Sequence, residues 1–414
     1  MTGTIIADVN PIVYAIPVFL ATILLEAWIA RRKGMATYDI PDALTSLHLG
    51  TLSQVAGAFS RVLTLGLYVA VWEKFRTFEL SAANPLVWIF ALLAYDLAYY
   101  WYHRMSHEVA LFWGGHVVHH SSEYFNLSTA LRQSSSSPLF AWAFYAPLAV
   151  IGVPPVVFVT VGLIDLLYQY WVHTELVGRL GRLDRILVTP SNHRVHHGQN
   201  DYCIDRNYGG IFIFWDRIFG TFTEERRGEK VVYGVRKPLR SWNPLWGNLQ
   251  VYFELACAAL RAPGLRGKVA VLFSRPGGHG PDNALQADFD AAGFQAYSTQ
   301  TPRSIRIYST LQYAALVPLI THFIAVQKGL GDAARIAYAL VILVSTLCVG
   351  ALLEGRKSAR AIETARVVFL AGGFALAPAW FGWNAPEWLK AFAILFALAS
   401  AWHLNARLQV RAVA

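Results

Sequence analysis

The 414-residue chain is poor in charge and in sulfur. Charged residues make up 15% of it, hydrophobic residues 55%, and mean hydropathy is +0.38, a balance that excludes a set of ordinary soluble domains. The three cysteines, Cys203, Cys257 and Cys348, are widely spaced and form no CxxC. That excludes a disulfide framework and a thiolate metal site. No GxGxxG or GxxxxGK spacing occurs, so no phosphate-cradling loop is present, and no HExxH supplies the base of a zinc hydrolase. The net charge of +9 does not call for nucleic acid, because surplus Lys and Arg in a membrane chain collect in cytoplasmic loops.

What the chain has in quantity is apolar runs of spanning length, which is about 20 residues for a helix. They fall at 11–30, 51–72, 85–102, 138–153, 155–172, 308–327, 332–352, 367–383 and 387–404, predicting nine spans or embedded segments. The first lacks a basic leader and ends at Arg31-Arg32-Lys33, which reads as a retained helix, bent at Pro17, with its end in the cytoplasm. Gln54, Ser60 and Arg61 weaken the second, and His48 just before it reads as interfacial. Residues 138–153 and 155–172 read as a hairpin about Val153-Pro154-Pro155, and 268–280 as a strand with a glycine turn. This threading leaves only Lys74, Arg76, Lys328, Arg335 and Lys390 of the 35 basic residues outside, and puts the C-terminus inside. The C-terminal block shows no clustered polar residues; His279 reads as surface, and His322 and His403 as structural.

Nine of the thirteen histidines lie between positions 103 and 197. They form His103-x3-His107, His116-x2-His119-His120, the single His173, and His193-x2-His196-His197. Helical residues at i, i+3 and i+4 share a face, so each cluster can present imidazoles together. Nine rings exceed the six positions of one octahedral ion, which favours two ions. Zinc stays open on ligand type, while all-imidazole ligation without thiolate suits iron. Asp96 and Asp165 each stand about two turns before a histidine, at His103 and His173. That is ~11 Å along one helix, so a carboxylate of this kind would orient an imidazole on a neighbouring helix. A histidine-rich dimetal centre at a membrane surface suits O2 activation and attack on an unactivated C–H bond. Tyr99, Tyr100, Trp101, Tyr102, Tyr168, Tyr170 and Trp171 would mark the membrane boundary. A histidine-based metal transporter is the rival from another class. Its site would sit near the bilayer midplane, whereas these clusters sit at helix ends.

The pattern HRMSH, GHVVHH and NHRVHH resembles the fatty acid hydroxylase / sterol desaturase superfamily of membrane diiron oxygenases, whose boxes read HX3H, HX2HH and HX2HH. All eight box histidines match, and the run 192–222 with the C-terminal membrane block is similar to the alkylglycerol monooxygenase branch. The resemblance implies two irons held by the eight, with His173 as ninth ligand. It implies O2 and an ether lipid as substrates, hydroxylation beside the ether oxygen, and tetrahydrobiopterin or an electron-donor protein as reductant, with hydroxylation or desaturation of a sterol, carotenoid or fatty acyl lipid by the same centre as the alternative. Glu108 matches an acid beside the first box, a ligand or an acceptor for one. Asp205, Arg206 and Asn207 could hold a pterin or headgroup, or cap a turn.

The expected fold is therefore an all-α, multi-pass integral-membrane bundle with a cytosolic histidine-rich diiron site. Its parts are N-terminal helices (1–84), a catalytic core (85–222), a cytosolic segment (223–307) and a C-terminal membrane block (308–414). Its alanine-rich, cysteine-poor composition points to a bacterial inner membrane.

Overall fold

A computed structural model describes residues 11–277 and 289–411; the side chains of Arg61, Val62 and 407–411 fall outside the described set, as does His279. No β-strand occurs among the described residues, only three isolated bridges. The chain divides into two units, residues 17–240 with 245–297, and residues 1–16 with 241–244 and 298–414.

The first unit holds most of α1 (Ile12–Arg32), then α2 (Ile40–Phe75), α3 (Pro85–Glu108), α4 (Ala110–His120), α5 (Leu127–Ala130), α6 (Pro138–Ile151) and α7 (Pro155–Trp171). The shorter α8 (Pro190–His196) and α9 (Phe214–Ile218) follow, then α10 (Pro244–Arg261) and α11 (Gly264–Phe273). α2 begins where Asp39 caps the backbone of Asp42 at 3.2 Å, ahead of Pro41 in the first turn. It then runs well beyond the expected 51–72 and bends by 44° between Ser60 and Leu63. His48 is inside this helix and fully buried, so the interfacial reading is corrected. The 138–172 hairpin forms as expected, and Gly152 closes α6 at φ 109°, where a Cβ would fall 2.0 Å from the Phe78 carbonyl oxygen.

The expected strand at 268–280 is helix over 268–273, and residues 278–280 lie outside the described residues. Leu265, Val269 and Phe273 recur every four residues, a helical period that outweighs the short β-rich run KVAVLF.

The second unit is a four-helix block of α12 (Arg303–Val326), α13 (Asp332–Leu353), α14 (Ala359–Leu376) and α15 (Glu387–Arg411). Its interior is not free of clustered polar groups, which corrects the expectation. Glu363 and Arg366 of α14 pair at 2.6 Å in the bundle interior. Arg366 donates to Gln312 at 2.7 Å and Ser345 at 3.3 Å, Tyr308 donates to Glu363 at 2.8 Å, and Gln312 donates to Ser400 at 2.9 Å. Spacing concealed this cluster, because its members are scattered over four helices.

Among the described residues, four helices are long and apolar enough to cross a bilayer, 12–32, 303–329, 332–353 and 387–406, and the bent 40–75 makes a fifth if it is one span. α6 and α7 are shorter apolar helices. α3 and α14 are not among the candidates: Asp96 with its aromatic neighbours dilutes the first, and Arg360, Glu363 and Arg366 the second.

Candidate metal centre

The nine clustered histidines converge in the first unit as two groups. His103, His107, His116, His120 and His196 form one; His119, His173, His193 and His197 form the other; in each group one ring nitrogen per residue lies within 4.8 Å of all the rest. Helical rotation produces the division. His103 and His107, His116 and His120, and His193 and His197 are i, i+4 pairs that share a face and a group. The adjacent residues His119 and His196 are turned roughly 100° away from His120 and His197 and serve the opposite group. Their rings accordingly stand at 88° and 87° to those neighbours. His120 and His197, from different groups, stack at 4.3 Å and 19°, so the groups share a wall.

The donor set fits two metal ions. Nε2 atoms stand 2.9 Å apart between His103 and His116, 3.0 Å between His116 and His120, 2.9 Å between His173 and His193, and 3.2 Å between His193 and His197. Two imidazole nitrogens at ~2.1 Å from one ion and at right angles would be roughly 3.0 Å apart. Nε2 of His107 and of His196 is buried with no protein partner. On the far side of the rings, Nδ1 of His103 donates to the Tyr208 carbonyl at 2.8 Å and that of His119 to Arg132 at 3.0 Å. Likewise His173 donates to Gln169 at 2.8 Å and His196 to Arg206 at 3.0 Å. A carbonyl only accepts, so each Nδ1 carries the proton and each Nε2 lone pair faces inward. Burial, reinforced by neighbouring imidazoles, holds His116, His120, His193 and His197 well below the ordinary histidine range. Burial likewise lowers His119 to about 4 and His196 to about 3. The rings are thus neutral and ready to ligate at pH 7.

The two span carboxylates take partners other than imidazoles. Asp96 accepts from the backbone of Ile211 at 2.6 Å and Phe212 at 3.1 Å, and from the Trp215 indole at 3.0 Å. Asp165 accepts from Gln169 at 2.6 Å, and Gln169 in turn accepts from Tyr99 at 2.6 Å. Among the described residues no hydrogen bond joins either acid to a histidine. Their link is indirect: Gln169 supplies the His173 acceptor, and Asp96 pins the segment after Tyr208. Asp216, which sequence reasoning did not single out although it lies in the run 192–222, pins the other end. It accepts from Tyr208 N at 2.7 Å, Gly209 N at 2.8 Å and Thr221 Oγ1 at 2.6 Å.

Asp205, Arg206 and Asn207 form a tight turn with Asp205 at φ 57° and Asn207 at φ 58°. Buried Asn207 donates to the carbonyls of Asn192 at 3.0 Å and Thr223 at 2.8 Å and accepts from Thr223 N at 2.8 Å. The turn aims the carbonyls of Arg206 and Tyr208 at His196 and His103. Asp205 Oδ1 lies 3.8 Å from His107 Nδ1 at the rim of the five-histidine group. Glu108 accepts from Arg104 at 2.8 Å, one turn earlier on α3. Of the aromatics expected at a membrane boundary, Tyr100 is fully buried with its hydroxyl 2.9 Å from Thr221, Tyr102 and Tyr168 donate to the carbonyls of Ser137 and Val188, and Trp101 is exposed.

Helices long and apolar enough to span, with no strand among the described residues, and two adjoining nests of neutral imidazoles fit an oxidoreductase of the fatty acid hydroxylase class, and residues 88–221 match that family's sequence model. The match extends far beyond those residues. Alkylglycerol monooxygenase of Homo sapiens is 40% identical over 359 residues, covering 85% of this chain and 80% of its own length. The enzyme of Danio rerio with that name is 37% identical over 364 residues, covering 86% and 80%. The chain belongs to the alkylglycerol monooxygenase family and is an oxygen-dependent oxidoreductase. A more remote relative is ornithine lipid hydroxylase OlsE of Rhizobium tropici, 30% identical over 148 residues, 36% of this chain and 45% of that one. No solved structure matches the chain.

Proposed function

We propose that this protein is a membrane-bound diiron monooxygenase that hydroxylates an O-alkyl glycerolipid at the carbon next to the ether oxygen. The product then separates into a fatty aldehyde and a glycerol derivative. One oxygen atom of O2 enters the C–H bond and the other leaves as water, with two electrons drawn from a tetrahydropterin. The observation that carries the dimetal reading is the division of nine histidines into adjoining groups of five and four. The substrate class rests on the relatives named for alkylglycerols, which match along most of the chain.

Two irons, once bound, supply the activation of O2. The chain's own residues hold the nine rings neutral, fix their tautomers through the carbonyls of Tyr208, Arg132, Gln169 and Arg206, and keep water out by burial. Residues 85–222 form the catalytic core, and the lipid's alkyl chain lies between the helices that feed it. Asp205 and Arg206, at the rim of the five-histidine group, are the side chains offered to pterin or headgroup; Asn207 is committed to backbone. Glu108 holds Arg104 beside the same rim. The asymmetry of Lys and Arg supports histidine groups on the cytoplasmic side, and the alanine-rich, cysteine-poor composition supports a bacterial inner membrane.

The test is product analysis by mass spectrometry. Iron-loaded protein in detergent is incubated with a 1-O-alkylglycerol, O2 and tetrahydropterin, with His196→Ala as control. Fatty aldehyde from the parent alone supports the proposal. Two bound irons without aldehyde would overturn the ether-lipid assignment and direct the search to other lipids, including ornithine lipids.

A further inference from the structure

We infer that α10 and α11 form an interfacial helix pair that lies in the headgroup layer of an anionic bilayer and holds the ligand helix α4 there.

Leu245, Trp246, Leu249, Phe253, Ala256 and Leu260 of α10 are all exposed. Apart from the neighbours Leu245 and Trp246 they recur every three or four residues, so they make one continuous apolar face. One flank of the helix is spoken for. Asn248 accepts from Ser135 N at 2.9 Å, and the Tyr252 ring packs so close to α4 that a Cβ on Gly114 would fall 2.7 Å from it. On α11, Leu265, Val269 and Phe273 continue the exposed apolar surface, with Leu265 79% exposed, while Val271 turns inward. Arg266 and Lys268 flank that stripe, and Arg261 and Arg275 stand at its ends, all four exposed. Where α11 ends, the Ser274 carbonyl accepts from Ala110 N at 2.8 Å, at the start of α4.

A face of this composition is unsuited to water. Neither helix suits a span: α10 is not among the candidates, and the 10 residues of α11 rise only ~15 Å, half a hydrocarbon core. An apolar stripe flanked by long basic side chains is what an in-plane helix needs, with stems in the acyl boundary and charges among phosphates. The charge argues for lipid over a second copy. Glu254, the one acid of the two helices, is paired with Lys237 at 3.0 Å. A two-fold pairing of this face would set cation against cation, whereas anionic headgroups neutralise it.

The test uses the full chain in proteoliposomes containing about a quarter phosphatidylglycerol, an anionic lipid. Spin labels are placed singly at Leu249→Cys, Phe253→Cys and Val269→Cys on a Cys257→Ala background. Exposed Lys230→Cys is the reference for water, and Leu340→Cys in α13 the reference for the bilayer interior. Collision with O2 and with a water-soluble nickel complex is read by power saturation. The expected result is several-fold higher O2-over-nickel accessibility at all three positions than at 230, at a depth shallower than 340, with withdrawal toward water when phosphatidylglycerol is replaced by phosphatidylcholine. Water-like accessibility, interior depth, or exclusion of both reagents with dipolar broadening between copies would each overturn the inference, and unchanged depth in phosphatidylcholine would overturn its anionic part.

Discussion

Gly210 occupies a place where a side chain has no room. A Cβ there would stand 2.6 Å from Asp165 Oδ1 and 2.7 Å from Asp96 Oδ1. The two buried acids thus converge on a backbone whose next amides, at Ile211 and Phe212, satisfy Asp96. Gly210→Ala is expected to push that segment away and, through Tyr208, to disturb His103; overpacking of this kind costs about 1–3 kcal/mol. Thermal unfolding in detergent combined with iron counting checks it: lower iron content than the parent at full loading is the expected outcome, and parental iron and melting temperature would refute it. Asn207 invites a second substitution. Its φ of 58° is tolerated by Asn and Gly, but its amide also ties Asn192 to Thr223. Asn207→Gly keeps the turn and loses the tie, leaving the Thr223 carbonyl and amide without their Asn207 partner at about 1–3 kcal/mol. Asn207→Gly should therefore melt below the parent, and an unchanged melting temperature would show the turn alone to be sufficient.

At the scale of elements, α2 reaches the metal centre through Arg132. Arg132 is 1% exposed; its guanidinium meets Asp42 at 2.7 Å, Ser46 at 3.0 Å and Ser121 at 2.8 Å, while its carbonyl orients His119. Breaking a buried pair leaves a charge uncompensated, about 3–5 kcal/mol. Asp42→Asn should therefore destabilise the protein and lower iron occupancy of the four-histidine group, leaving about half the iron if that ligand set alone fails. Loss of both irons in equal measure would instead mean that the two groups assemble as one unit. None of this was legible in sequence, because Asp42 and Arg132 lie ninety residues apart and no local pattern links them. What was legible were features set by local period: the boxes HRMSH, GHVVHH and NHRVHH, the 138–172 hairpin and the long apolar helices. The strand reading of KVAVLF failed because a six-residue run is too short to separate a strand from a turn and a half of helix. The Asp96 and Asp165 echo was real as sequence, but its partners were backbone amides, the Trp215 indole and a glutamine, which a sequence pattern does not mark.

On the scale of the whole molecule, the C-terminal unit raises the question of why an apolar bundle contains Glu363 and Arg366. Every nitrogen of Arg366 is engaged by Glu363, Gln312 or Ser345, and Glu363 also receives Tyr308. The network is closed and offers no free position to a ligand, so its work is registry: it joins α12, α13 and α14 at one level, and Gln312 extends it to Ser400 on α15. Three of these four helices are long and apolar enough to span, where apolar packing alone discriminates poorly between rotations of a helix. The pair is expected to be mutually dependent. Glu363→Gln strands the guanidinium, Arg366→Met strands the carboxylate, and each single change should cost about 3–5 kcal/mol. The double variant strands neither and should be more stable than either single one. Thermal unfolding of the full chain in detergent, followed by proteolysis of the C-terminal unit, gives the four corners of the cycle. Additive losses would mean that the two residues act separately. A double variant that melts like the parent but yields several C-terminal proteolytic fragments in place of one would mean that the pair contributes uniqueness of packing rather than net stability.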